Sequence, residues 1–126
     1  MPDYDSQRFT PPAPIARVSI RTRDRARTMS DVPMLIDSGA DATLIPQACA
    51  DRLGLRGEPD EGFLLIGFDG STSLANVVDA EMLFLGRTFR GQFAVTEDEV
   101  GILGRNVLNH LSIVLDGPRL NWREGP

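Results

Sequence analysis

Asp37-Ser38-Gly39 is the stretch of this sequence whose residue types and order could do chemistry. The aspartate directly follows an apolar run, Pro33-Met34-Leu35-Ile36, of the kind that forms a buried strand. Such a strand fixes the position of the carboxylate at its end. The Ser38 hydroxyl can tie the loop to a neighbouring segment, and Gly39 lets a second backbone approach closely. A carboxylate held this way can trade protons with a reacting group. The same tripeptide also describes an ordinary turn whose aspartate caps backbone amides, and on the tripeptide alone the turn is favoured. The choice rests on the surroundings.

The elements around the tripeptide are short and mostly extended. Ile15, Val18 and Ile20 predict a strand that runs out through Arg21, Arg23, Arg25 and Arg27 into a solvated hairpin. The apolar run before Asp37 stops at Asp37-Ser38-Gly39-Ala40-Asp41, a loop of turn formers, and resumes at Thr43-Leu44-Ile45. Pro46 then opens a short helix through Ala48, Cys49 and Leu53, with Gly54 as its stop. Phe63 to Ile66 predicts a strand that turns at Gly67-Phe68-Asp69-Gly70, where Asp-Gly marks a tight hairpin, and returns over Ser71 to Asp79. A second hairpin is expected from Ala80 to Leu85 and Thr88 to Val95, around Gly86-Arg87. Gly101-Ile102-Leu103-Gly104 is an apolar segment between glycines. Arg105 to Leu111 fits a short helix, and Ser112 to Leu115 and Arg119 to Trp122 fit terminal strands. Many short strands with one or two small helices predict a compact, all-β, barrel-like domain.

Residues 1 to 14 are polar and end in Thr10-Pro11-Pro12-Ala13-Pro14, so a flexible N-terminal arm of extended backbone is expected, with the folded domain over 15–126. A chain of 126 residues fits one domain, and 41% hydrophobic residues can bury a core. A domain this small loses much of its burial to surface, so association with another subunit would help it. The net charge of -5 argues against nucleic acid or an anionic membrane as the main partner. All 13 basic residues are arginine, which reads as compositional bias. The single cysteine allows no internal disulfide and supports no metal cluster. No apolar stretch approaches the roughly 18 residues that span a bilayer. The opening residues lack the basic-then-apolar pattern of a secretory signal, so a cytoplasmic protein is the default expectation.

Leu35-Ile36-Asp37-Ser38-Gly39-Ala40-Asp41, followed by Thr43-Leu44-Ile45, resembles the active-site segment of the retropepsins, the single-lobed aspartic proteases of retroviral type. Gly101-Ile102-Leu103-Gly104-Arg105-Asn106 resembles that family's helix start, which supports the catalytic loop from behind. Gly67-Phe68-Asp69-Gly70 sits between them, where the family has its flap hairpin. These features fall in the family's order over residues 15 to 122. The resemblance implies a closed acid-protease β-barrel with one or two short helices and a flap. It implies catalysis by Asp37, with Ser38 and Gly39 holding the loop, and substrate contacts at Ala40, Asp41, Gly67, Phe68, Asp69 and Gly70. It further implies that Arg105 pairs with the acid at Asp41 near the dimer contact, with Asn106 beside it as support. No cofactor and no metal are implied. The sequence departs from the family at Ser38, where threonine is commoner. Ala42 stands where some viral enzymes carry a second acid, and Phe68-Asp69 replaces a glycine-rich flap tip.

Peptide hydrolysis by this chemistry needs two carboxylates that share a proton. The sequence has one Asp-Ser/Thr-Gly: Asp116-Gly117-Pro118 lacks the hydroxyl residue and Asp69-Gly70-Ser71 has the wrong order. The second carboxylate is therefore expected from Asp37 of another copy, in a homodimer required for activity on a polypeptide substrate. Pepsin-like enzymes usually carry a hydroxyl residue at the Ala40 position, which lowers the carboxylate pKa. Alanine cannot do this, so the expected optimum is mildly acidic. The rival expectation is a retropepsin-fold module that dimerises or binds peptides with feeble or no cleavage.

Other candidates are weaker. His110 is the only histidine and no Gly-x-Ser-x-Gly elbow exists, so it is expected on the supporting helix. Asp37 and Asp41 have no further acids at cation-loop spacing. Glu97-Asp98-Glu99 reads as a solvated loop. Cys49, Phe93 and Trp122 read as packing residues.

Overall fold

The structure, a computed structural model, describes residues 3–55, 63–66 and 72–126. Its elements in chain order are β1 (Tyr4–Asp5), β2 (Ala13–Arg21), β3 (Thr28–Ile36), β4 (Leu44–Pro46), α1 (Gln47–Leu53), β5 (Phe63–Ile66), β6 (Thr72–Ala75) and β7 (Val77–Phe84). They continue with β8 (Arg87–Thr96), β9 (Gly101–Leu103), α2 (Arg105–Leu108), β10 (Ile113–Asp116), a 3-10 turn (Gly117–Arg119) and β11 (Asn121–Glu124).

The sheet runs β1-β2-β3-β9-β4-β8-β7, and β7 pairs back to β2, so the six strands from β2 to β7 close into a barrel. Alternation in the sequence supplies the interior. Ala16, Val18 and Ile20 on β2 and Val32 and Met34 on β3 are buried, with more exposed residues between them. Pro33 is tolerated in β3 because pairing with β9 starts one residue later, at Met34 opposite Gly101. The β2–β3 register slips between Val18 and Ile20, close to Asp31 at φ 58°. Ile20, Met34, Ile45, Met82 and Leu103 lie at the centre of the core.

The first hairpin extends farther than the apolar run before Asp37 suggests, because the Arg-rich segment is stitched to β7 as well as to β3. α1 forms where expected and ends at Gly54 in the left-handed region, φ 69°, where a Cβ is disfavoured. β5 and β6 pair antiparallel, Phe63 opposite Ala75 through Ile66 opposite Thr72. Gly67, Phe68, Asp69 and Gly70 lie outside the described residues. The expected return strand to Asp79 is in fact two: β6 ends at Ala75, and β7 begins at Val77 because Val77 and Val78 already belong to the barrel core. The last strand also starts later than the sequence suggests. Gly117-Pro118-Arg119 winds into the 3-10 turn, whose Arg119 amide donates to the Asp116 carboxylate at 3.4 Å.

Part of the expected arm is paired in the sheet: Tyr4 lies opposite Pro14 and Asp5 opposite Ala13. Trp122 seals the C-terminal hairpin to the barrel, its indole N–H donating to the Ile15 carbonyl at 2.9 Å and its ring meeting Phe84 at 5.9 Å. Among the described residues no helix is long and apolar enough to cross a membrane.

Candidate active site

Asp37 stands immediately beyond β3. Its amide donates to the Leu103 carbonyl at 3.1 Å, which carries the parallel β3–β9 pairing one residue past the strand. The backbone under the carboxylate is thus part of the barrel ladder. The chain then turns. The Gly39 amide donates to Asp37 Oδ1 at 2.9 Å, and the Ala40 amide to the Asp37 carbonyl at 3.1 Å. A Cβ on Gly39 would lie 3.1 Å from that same Oδ1, so glycine keeps the amide-to-carboxylate approach uncrowded. The turn-capping reading of Asp-Ser-Gly and the catalytic reading meet here: one oxygen caps the loop while the half-buried carboxyl stays within reach of solvent.

The segment from Gly101 to Asn106 supports this loop from behind. The Arg105 amide donates to the Ala40 carbonyl at 2.8 Å, and its guanidinium Nη1 to the Ser38 carbonyl at 2.8 Å. The resemblance implies an ion pair between Arg105 and Asp41. Among the described residues no such pair forms, and the guanidinium holds the loop through a main-chain oxygen instead. Asp41 is exposed, as are Ser38 and Gly39, while Ala40 is half-buried. A Cβ on Gly104 would fall 2.2 Å from the Ala42 carbonyl oxygen and 2.5 Å from its carbon, so only glycine lets α2 start this close to the loop.

Thr43 is the residue that sequence reasoning passed over. It is buried, and its Oγ1 accepts from the Gly104 amide at 3.1 Å while donating to Asn106 Oδ1 at 2.7 Å. One hydroxyl therefore joins the end of the Asp37 loop to both the first and the third residue of the Gly104-Arg105-Asn106 segment. A threonine directly ahead of the apolar Leu44–Pro46 strand is the signal that could have pointed to it, since a hydroxyl drawn into the core requires partners. His110 follows α2, with its ring 6.1 Å from that of Phe89. Burial pushes the Cys49 thiol up to about 11, as suits a packing residue.

The closed barrel, with a carboxylate loop backed by a glycine-arginine-asparagine helix start, is the architecture of the single-lobed, retropepsin-like aspartic proteases. The family described as "gag-polyprotein putative aspartyl protease" matches residues 28–110, well over half of the chain, and the protein belongs to it. Among solved structures, EIAV protease complexed with the inhibitor HBY-793 is similar at 26% sequence identity and a TM-score of 0.60. The match covers 78% of this chain and 86% of that one. No curated protein matches the sequence.

Proposed function

We propose that this protein is an aspartic endopeptidase whose active form is a homodimer with one Asp37 from each subunit. The observation that supports it best is the state of Asp37: a backbone fixed by the β3–β9 ladder, one oxygen held by the Gly39 amide, and the carboxyl half-buried. With a single Asp-Ser-Gly in the chain, a partner copy must supply the second carboxylate.

In this reading two Asp37 carboxyls stand about 3 Å apart across a two-fold axis and share one proton, because both cannot ionise cheaply. The ionised carboxylate takes a proton from water as the water oxygen bonds to the peptide carbonyl carbon. The protonated carboxyl gives its proton to the carbonyl oxygen. Collapse of the tetrahedral intermediate breaks the C–N bond: the leaving nitrogen takes the proton from the pair, while the ionised carboxylate takes one from a hydroxyl of the intermediate, which becomes the new carboxylic acid. The pair returns to its starting state with one proton. The two apparent pKa values belong to the dyad and not to either subunit. Ser38, Gly39 and Arg105 hold the loop, with Thr43 and Asn106 beneath it. Ala40 and Asp41 face the substrate main chain, and the segment around Gly67 to Gly70 closes over it.

The test is cleavage of a denatured-protein mixture from about pH 3 to pH 7 at two enzyme concentrations. The expected result is a mildly acidic optimum and a rate that rises more steeply than first order in protein, because the monomer lacks the dyad. A peak below about pH 3 would remove the argument from Ala40. No cleavage by a folded, dimeric protein would leave a peptide-binding module in its place.

A further inference from the structure

Strand β8 has one paired edge and one open edge. On one side it pairs with β7 from Arg87 to Ala94. On the other side it pairs with β4 only from Ala94 to Thr96, and among the described residues no strand continues that pairing below Ala94. The Ala94 amide donates to the Thr43 carbonyl at 3.2 Å on the β4 side, and the Val95 amide to the Asn76 carbonyl at 3.1 Å on the β7 side. Backbone groups alternate between the two neighbours along a strand. The β7–β8 register runs unbroken from Val77 opposite Ala94 to Phe84 opposite Arg87. The N–H and C=O groups of Thr88 and Arg90 therefore point to the open edge, and those of Phe89 point to β7.

A groove of about 660 Å³ follows this edge. Arg87, Phe89, Arg90 and Gly91 form one wall, while Val107 of α2 and His110 beyond it form the other. Arg87 Nη1 donates to the His110 carbonyl and ties the two walls together. A Cβ on Gly91 would meet nothing within 4 Å, so the middle of the edge stands over open space. Two arginines and a histidine line the groove, and among the described residues no carboxylate does. Arg90 binds Glu81 through Nε and is still 57% exposed. Glu81 shares its single charge with Arg21 and Arg25 as well, so the guanidinium cluster keeps an excess of positive charge.

An open strand edge is a template for any extended chain, and charge decides which chain is admitted. A second copy of the same edge would bring arginine against arginine, which is destabilising across a strand pair. An acidic strand meets the opposite charge. We propose that the open edge of β8 at Thr88 and Arg90 is a docking site for an extended acidic peptide, which adds a strand to the barrel sheet. The peptide backbone pairs with Thr88 and Arg90. Its carboxylates lie beside Arg90 on one face, and its alternate side chains fill the space over Gly91, between Phe89 and Val107, on the other. The site is built from β8 and α2 and does not depend on the peptidase reading of Asp37.

The probe is a capped seven-residue peptide of alternating glutamate and valine. It is added to the full chain carrying Asp37→Asn, so that the peptide stays whole, and amide hydrogen exchange is followed residue by residue at neutral pH. In the protein alone the Phe89 amide is expected to exchange slowly and those of Thr88 and Arg90 fast. Peptide at about 1 mM is expected to slow Thr88 and Arg90 about tenfold, as a Kd of about 0.1 mM requires. The same peptide N-methylated at its glutamates keeps the charge but cannot donate to the edge. A lysine–valine peptide keeps the strand and reverses the charge. Neither is expected to protect these amides. Protection by either of them, or none by the first peptide, overturns the proposal. So do Thr88 and Arg90 amides already as slow as Phe89 in the protein alone, because the edge is then covered by the chain itself or by a second copy.

Discussion

Two carboxylates of this barrel are held in opposite ways. Glu81, on β7, is only 3% exposed. Three guanidiniums reach it: Arg21 Nε at 2.6 Å from Oε1, Arg90 Nε at 2.6 Å from Oε2 and Arg25 Nε at 3.5 Å. Asp37 is half-buried, and among the described residues its carboxylate accepts one bond, from a neutral backbone amide. The hydrogen bond from Arg21 holds the Glu81 carboxyl below its ordinary value, against the opposing pull of burial, and the charges of Arg21, Arg90 and Arg25 add to it. A carboxylate surrounded by cations stays ionised and ties strands together. It cannot pass protons. One left with an open oxygen and no cation on it can, but it needs a neutral scaffold to keep its place. The Asp37 loop obtains that scaffold from ladder bonds, close glycine packing and the Thr43 hydroxyl.

The sharpest way to break this contrast is to neutralise each carboxylate in turn. Asp37→Asn is expected to cut turnover on the order of 10⁴-fold while leaving the melting temperature and the dimer unchanged. If its activity survives, Asp37 is not the catalytic acid. Gly104→Ala comes next, since its methyl would meet backbone atoms that have no side chain to rotate away. A cost of about 3 kcal/mol, with loss of cleavage, is expected in urea melts.

Glu81→Gln should do the reverse of Asp37→Asn, lowering the melting temperature by several degrees at neutral pH with little change in turnover below the melt. The sign of its pH dependence follows from the lowered pKa. The stabilisation is fully present above the ordinary value of 4.5 and is lost as pH falls through the lower folded-state value. Wild type and Glu81→Gln should therefore converge in strong acid, and melts across that range that stay parallel would refute the linkage. A stability loss without a pH dependence of this kind is expected of Thr43→Val. It strands the buried Gly104 amide and removes the bond to Asn106, at a cost of about 1 to 3 kcal/mol. A loss of kcat larger than that stability cost would make Thr43 a positioning residue as well as a structural one.

Much of the architecture was legible because its signals are local. Alternation marks β2, the glycine stop marks α1, and the Asp-Ser-Gly and Gly-Arg-Asn segments mark the loop and its support. Strand ends were less legible where core membership overrode the turn signals, as at Val77 and Val78. The same holds where Gly117-Pro118-Arg119 wound into a turn. The string of arginines from Arg21 to Arg27 reads as solvated in sequence. Its role appears only when closure of β2 on β7 sets Arg21 opposite Glu81.

The sequence by itself determined the identity and order of the groups at the candidate site: one aspartate after a buried strand, a glycine where a backbone must pass, and no second Asp-Ser/Thr-Gly. Those are properties of short segments, set by side-chain chemistry and backbone freedom. Only the tertiary structure decided which distant groups those segments meet. Arg105 reaches the Ser38 carbonyl and not Asp41, Thr43 bridges Gly104 and Asn106, and Arg21 meets Glu81. Each contact joins residues far apart in the chain, and its geometry follows from barrel closure, which no single segment encodes.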